Sequence, residues 1–236
     1  MMICWAFATV TAGLAQWWSK LYHHFFPKRW YIVEGNIGCG KSTLIQQLKM
    51  QPEWCEVIDE PVDVWKSITD EHGENILGLF YNDPHRYAYL FQNIVFKTRL
   101  MSLEKEQVKP VRVSERSIRT DKHIFSASCF ELGYMNVIEK NIYDKWFHWL
   151  EQKIPRRPDG IIYLKVAPEI CLQRIKTRDR NEESTVSLDY LTHLHQKHET
   201  WLNQHRFTSD NVPIFVIDNT GDPLQTLQAA TRIIRN

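Results

Sequence analysis

The chain carries almost no net charge: 29 lysines and arginines stand against 28 aspartates and glutamates. A polyanion-binding surface needs a basic excess, so no nucleic-acid partner is expected, and any arginine cluster has to be read as a local site. Paired cysteines are missing too. Cys4, Cys39, Cys55, Cys129 and Cys171 form no CxxC and no His/Cys ligand spacing. A disulfide framework and a structural zinc site are therefore not expected, and a reducing compartment is. There are no internal repeats and no low-complexity linker. A clean apolar run of about 20 residues, the length of a membrane span, is also absent. The nearest candidate, Met1 to Trp18, is interrupted by Thr9, Thr11, Gly13 and Gln16. It contains no acid, and its positive charge follows at Lys20, Lys28 and Arg29 instead of preceding it as in a signal peptide. It is not Arg-rich like a mitochondrial transit peptide. The reading is a loosely packed extension over residues 1–29, with organelle targeting and a weak membrane anchor left open.

What is present is enough for one sizeable core and too little for two: 236 residues, 43% hydrophobic and 12% aromatic. Short apolar runs alternate with helical patterns, which implies a parallel sheet covered on both faces. Strands are expected at Trp30 to Glu34, Glu56 to Asp59, Val111 to Ser114, Gly160 to Val166 and Pro213 to Asp218. Helices are expected at Lys41 to Met50, Pro84 to Lys109, Pro168 to Arg178, Ser187 to Arg206 and Asp222 to Ile234.

Between the first strand and helix lies Gly35-Asn36-Ile37-Gly38-Cys39-Gly40-Lys41-Ser42, which fits GxxxxGK[ST] and runs on into Thr43. Glycines at these places let successive backbone N–H groups point at phosphate oxygens, and the following helix adds its positive end. Lys41 supplies a point charge to the β- and γ-phosphates, and the Ser42 hydroxyl can coordinate magnesium. The spacing is not that of a GxGxxG dinucleotide fingerprint. The motif calls for a nucleoside triphosphate and is silent on what receives the phosphate.

Three groups bear on the acceptor. Asp59-Glu60-Pro61 follows the second strand, at the carboxyl edge where ligands of open α/β sheets bind. A carboxylate there can take a proton from an attacking hydroxyl, although a surface acid at a strand end would look the same. Ser114-Glu115-Arg116-Ser117 reaches the same rim, with Glu115 near magnesium and Arg116 near the reacting oxygens; an ordinary salt-bridged pair is the alternative. Arg174, Arg178 and Arg180 form the third group. The first two share a helix face at i, i+4, where like charges repel unless an anion sits between them. Arginines that close over a transferring phosphoryl group stabilise its charge. The polar stretch around them reads as a mobile lid, or equally as a solvated basic helix end. On the long helix, Gln92, Val95, Phe96 and Arg99 lie on one stripe, which fits either a base-binding wall or a core stripe.

Together these stretches resemble the deoxyribonucleoside kinases of the deoxycytidine/deoxyguanosine kinase and mitochondrial thymidine kinase type. The matching stretches are EGNIGCGKST, EPVDVW, YNDPHRYAYLFQ, SERSIRTDKHIF, DGIIYLKVAPEICLQRIKTRDRNEE and LDYLTHLHQKHETWL. They run in the family's order and cover nearly all of Trp30 to Asp218. The resemblance implies a P-loop-type α/β fold with a five-stranded parallel sheet flanked by helices and an arginine-rich lid, in one domain over residues 30–236, usually as a homodimer. It implies transfer of a phosphoryl group from ATP or another nucleoside triphosphate, with magnesium, to the 5′-hydroxyl of a small-molecule deoxynucleoside. Glu60 would be the general base, with Arg116 beside it. Tyr81 and Glu183 would hold the 3′-hydroxyl. Gln92 would bond the base, Phe125 would stack on it, and Trp65, Leu77, Phe80 and Phe91 would wall the pocket. Arg99 and Asp121 would face the base edge, Arg174, Arg178 and Arg180 would form the lid, and Asp222 would lie by the ATP base.

Val95 is bulkier than the alanine associated with deoxycytidine kinases at that position. The Asn219 to Pro223 loop lacks the acidic-aromatic run of some members, which leaves the preferred donor open. Thymidine-preferring relatives carry uncharged residues where this chain has Arg99 and Asp121. Deoxycytidine or purine deoxynucleosides are therefore expected over thymidine, with deoxycytidine first because Val95 narrows the pocket. A thymidylate-kinase-like nucleotide kinase and a catalytically silent structural member are the alternatives. The cytoplasm is the expected compartment, with the mitochondrion as the alternative.

Overall fold

The computed structural model describes residues 28–51, 53–154, 156–204, 208 and 210–235. The apolar segment before Lys28 lies outside them. Five parallel strands form one sheet in the order β2-β3-β1-β4-β5. They are β1 (Arg29–Glu34), β2 (Cys55–Ile58), β3 (Val111–Glu115), β4 (Gly160–Lys165) and β5 (Ile214–Asp218). The sheet begins at Arg29, one residue inside the expected extension, because Arg29 pairs in register with Val111.

Strands β1, β3 and β4 are buried almost throughout, as central strands of a parallel sheet must be. Alternate residues of β1 feed two cores. Tyr31 and Val33 enter one with Leu44, Ile45, Leu164 and Leu194. Trp30 and Ile32 enter the other with Leu103, Tyr163 and Leu202. A third core contains no strand residue: Trp65, Phe80, Phe91, Phe96, Ile118, Tyr143 and Phe147 pack helix against helix.

The helices are α1 (Lys41–Lys49), α2 (Val62–Lys66), α3 (Ile76–Asn82), α4 (Pro84–Leu103), α5 (Ile118–Thr120), α6 (Ala127–Glu131), α7 (Val137–Glu151), α8 (Pro168–Arg178), α9 (Leu188–His198) and α10 (Pro223–Arg235). A π-helical turn, Asp121–Ser126, joins α5 to α6, and another, Glu199–Asn203, continues α9.

Helix α4 stops at Leu103 and not at Lys109 as expected. Arg112 captures the carbonyls of Leu103 and Lys105, while Glu56 accepts from the N–H groups of Val108 and Lys109, at 2.9 and 3.0 Å. The backbone of that stretch is satisfied by side chains of the sheet, so it gains nothing by staying helical. Helices α3 and α7 were not anticipated, yet both carry caps. Asn75 accepts from Gly78 N at 3.0 Å, and Asn136 with Glu139 forms a reciprocal capping box at the start of α7. No described helix is long and apolar enough to cross a membrane.

Candidate active site

The P-loop backbone turns on three glycines with positive φ, Gly35, Gly38 and Gly40. All three also meet close neighbours: a Cβ on Gly38 would lie 2.5 Å from the Cys171 carbonyl oxygen, one on Gly35 2.7 Å from that of Leu164, and one on Gly40 2.5 Å from Asn219 Nδ2. The loop is thus clamped between β4 and α8. Asn36 is spent on this clamping. Its Oδ1 accepts from Ile37 N, and its Nδ2 donates to the Leu191 carbonyl at 2.8 Å. Lys41, nearly buried, donates to the Asn36 carbonyl at 2.8 Å, folded back on its own loop. The Cys39 carbonyl accepts from Asn219 at 2.6 Å and from Arg174 at 3.4 Å.

Two cavities meet at this loop. One is lined by Gly38, Gly40, Lys41, Ser42, Thr43, Arg174, Thr177, Arg178 and Thr220. The other, holding about 650 Å³ of unfilled space, opens into the helical core, and Gly38, Lys41, Ser42 and Arg178 line both. Trp65, Leu77, Phe80, Phe91, Val95 and Phe125 wall the second cavity together with Ile37 and Val62. Phe91 stacks on Phe80 at 4.9 Å and meets Trp65 edge-on at 5.4 Å. The Trp65 indole N–H donates to Thr98, which fixes the ring. Gln92 lies in this wall, 1% exposed, with its buried Oε1 unpartnered. A buried amide oxygen without a partner is costly unless a ligand supplies one.

At the junction of the cavities Glu60 Oε1 accepts from Arg99 Nη2 at 2.5 Å and from Arg116 Nη1 at 2.6 Å. Burial alone would raise this carboxyl, but Arg116, Arg99 and Lys41 together hold it well below the usual carboxylate range. Arg116 takes a left-handed turn with φ 61, unusual for a residue with a Cβ, and its guanidinium lies 4.9 Å over the Phe125 ring. The Ser42 hydroxyl donates to Glu115 Oε1 at 2.9 Å. Burial and the charge of Glu60 raise the Glu115 carboxyl. A hydroxyl beside a buried carboxylate at the phosphate loop fits a small hard cation, and magnesium takes few protein ligands because phosphates and water complete its shell.

Two residues, Asp121 and Arg174, sit elsewhere than expected. Asp121 is fully buried, pushed up to about 6 by burial against the charge of Arg99, and does not line the cavity. It stands behind Arg99, whose Nε donates to it at 3.0 Å. Arg174 holds the carbonyls of Cys39 and Asn219, so it braces the P-loop and points no free fork at the junction. Asp222 is exposed and caps α10 by accepting from Leu224 N at 2.9 Å. Arg178 and Arg180 pair with Glu183, which lies in the wall beside Tyr81. Burial and then Glu183 raise the Tyr81 hydroxyl above its ordinary range.

Two contributors went unseen in the sequence. Asn219 ties β5 to the P-loop, and Thr226 donates to its Oδ1 at 2.5 Å. Glu34, at the end of β1, is fully buried and pushed up to about 7 by burial. Its Oε1 accepts from Ser117 and Thr120, the capping pair of α5 next to Arg116. A glutamate immediately before a P-loop glycine was the only signal for it.

The family model for deoxynucleoside kinases matches residues 31–236. A probable deoxycytidine kinase of fowlpox virus is 38% identical over 86% of this chain and 84% of its own length. Human deoxycytidine kinase is 39% identical over 80% of this chain and 83% of its own. The mitochondrial deoxyguanosine kinase of Xenopus laevis is 36% identical over 73% and 72%. With a P-loop, a second cavity walled by aromatic rings and a carboxylate–arginine pair where the two meet, the chain belongs to the deoxynucleoside kinase family.

Proposed function

We propose that this protein transfers the γ-phosphoryl group of ATP to the 5′-hydroxyl of a deoxynucleoside, and that deoxycytidine is preferred over thymidine. The observation that carries the reading is the shared wall: a phosphate cradle and a cavity walled on one side by aromatic rings meet at Lys41, Ser42 and Arg178, with Glu60 at the seam. In that arrangement the triphosphate lies on the N–H groups from Gly38 to Ser42, and Lys41 swings from the Asn36 carbonyl to the β- and γ-oxygens. Ser42 and Glu115 would hold magnesium, which when bound offsets the charge of the phosphate oxygens.

The deoxynucleoside enters with its base against Phe125 and its edge on Gln92. Tyr81 and Glu183 hold the 3′-hydroxyl. Glu60 orients the 5′-hydroxyl. Both arginine contacts fall on Oε1, which leaves Oε2 to accept the proton. The arginines make Glu60 a weak base, which suits a loose transition state in which the proton leaves late. Arg116 and Arg178 then face the charge on the transferring group.

Base preference rests on three supports. The polar groups beside the apolar wall are the Gln92 amide, whose oxygen is unpartnered, and, nearer the seam, the Arg99 guanidinium, and neither offers an apolar slot to a 5-methyl group. The fowlpox and human relatives are named deoxycytidine kinases. Val95, 3% exposed, narrows the space a purine needs. Steady-state turnover of the four natural deoxynucleosides with ATP tests the reading. Thymidine as the best substrate would overturn the preference, and no turnover of any would overturn the activity.

A homodimer through α7 completes the proposal. Ile138, Ile142, Trp146 and Trp149 follow one another at helical spacing and are 67%, 40%, 47% and 51% exposed, an apolar stripe of the kind that marks an interface. Trp146→Glu should then shift sedimentation from dimer to monomer; an unchanged dimer would sink the assignment.

A further inference from the structure

The lid turn, Asn181–Glu183, puts two neighbouring carboxylates to opposite uses. Glu183 faces inward, is 7% exposed and pairs with Arg178 and Arg180 at the cavity wall. Glu182 faces away from the arginines and reaches two elements on the acceptor side. Its Oε1 lies 2.8 Å from Lys66 Nζ and accepts from Asn75 Nδ2 at 3.3 Å. The Lys66 hydrogen bond is the first cause of the lowered Glu182 carboxyl. Its Cγ runs along α3 at Gly78, where an added Cβ would lie 3.9 Å from it. Lys66 directly follows Trp65, and Asn75 caps the helix that delivers Leu77 and Phe80 to the cavity. The anchors of Glu182 are thus the elements that wall the cavity on the side opposite the phosphate loop.

We propose that Glu182 is a positioning residue that latches the lid turn onto α2 and α3, holding Glu183 at the cavity wall and closing the acceptor site. The proposal rests on the reading of that cavity as the deoxynucleoside site. Entry of the nucleoside and exit of its product both require the Lys66–Glu182–Asn75 contact to part, whereas none of these three residues lines the donor cavity. The latch therefore acts on the acceptor and leaves the donor alone, a split that a general loss of stability would not produce.

The experiment is a charge swap in the full chain. Lys66→Glu and Glu182→Lys should each raise KM for deoxycytidine by about 3- to 10-fold, because a contact becomes a repulsion, while KM for ATP changes by less than about twofold. The double swap restores opposite charges and should return KM for deoxycytidine to within about twofold of the unsubstituted protein. Glu182→Gln keeps the shape and should give a smaller rise in the same direction, which covers a charge-reversed variant that fails to fold. Single variants with unchanged KM, or a double variant as impaired as the two singles combined, would overturn the latch. Absence of deoxynucleoside turnover by the unsubstituted chain would overturn the site reading and the latch with it.

Discussion

The two cavities are built from different materials. The cavity proposed for the donor is built around one backbone loop of eight residues bent by glycines, braced by carbonyl contacts to Arg174 and Asn219 and followed by a helix N-terminus, with Ile170, Gln173, Arg174, Thr177 and Arg178 of α8 along one side. The acceptor cavity is almost wholly side chain, drawn from the P-loop, α2, α3, α4, the turn before α6 and the lid. Backbone sites bind what every nucleotide shares, whereas side-chain sites can be retuned one residue at a time. The family's choice of acceptor therefore has to reside in the second cavity.

The junction should be the most sensitive place. Glu60→Gln keeps size and removes the proton acceptor, and kcat should fall by about 10²–10⁴-fold with folding intact, as steady-state kinetics and circular dichroism would show. Near-normal kcat would break the assignment and with it the idea that the cavities meet in a reacting seam. The backbone-built half should be broken by adding atoms. Gly38→Ala places a methyl group against the Cys171 carbonyl at a φ of +76, and turnover should fall by about 100-fold with KM for deoxycytidine little changed.

The side-chain half should be redirected and not broken. Arg99→Met combined with Asp121→Ala should shift the ratio of kcat/KM for thymidine over deoxycytidine upward by about 10²-fold, leaving KM for ATP alone. Since Asp121 lies behind Arg99, the single Asp121→Ala should shift it less, and an equal shift would show that the carboxylate itself meets the base.

The smallest effect is on stability. Glu34 is held at about 7 in the folded protein, above the ordinary carboxylate range of the unfolded chain. The folded state therefore binds more protons between those values, and stability is lost as pH rises through that window, by at most about 3–4 kcal/mol. Glu34→Gln should flatten the fall in Tm between pH 5 and pH 8. An unchanged slope would show that Glu34 does not carry it.

The same contrast explains what the sequence revealed. GNIGCGKS is a contiguous motif, and its strand–loop–helix setting is local, so the loop could be placed from the sequence, whereas Ile170, Gln173 and Thr177 on the α8 side of its cavity could not. All five strands and five helices were visible because apolar runs mark buried parallel strands. Glu60, Glu115 and Arg116 were legible as rim residues because each follows a strand. Helix α7 escaped because its outward face carries Ile138, Trp146 and Trp149, which blur the helical period, although its Asn136–Glu139 cap was there to be read. The positions of Asp121 and Arg174 were not legible. Each is set by a partner far along the chain that no spacing reveals: Arg99 for the first, the Cys39 and Asn219 carbonyls for the second.

The strand order has a consequence for how the molecule is made. β1 is the first strand of the sheet to leave the ribosome, yet it lies at the centre, hydrogen-bonded to β3 through Arg29↔Val111 and to β4 through Tyr31↔Gly160. Until those partners are synthesised, Trp30, Ile32 and Val33 stand on a strand with both edges bare, and no neighbour nearer in sequence can shield it. Folding must then wait for contacts of long sequence separation, which slows it and leaves the nascent chain prone to association. Yield should therefore respond to translation speed and chaperone supply more steeply than the equilibrium stability of the finished protein would suggest.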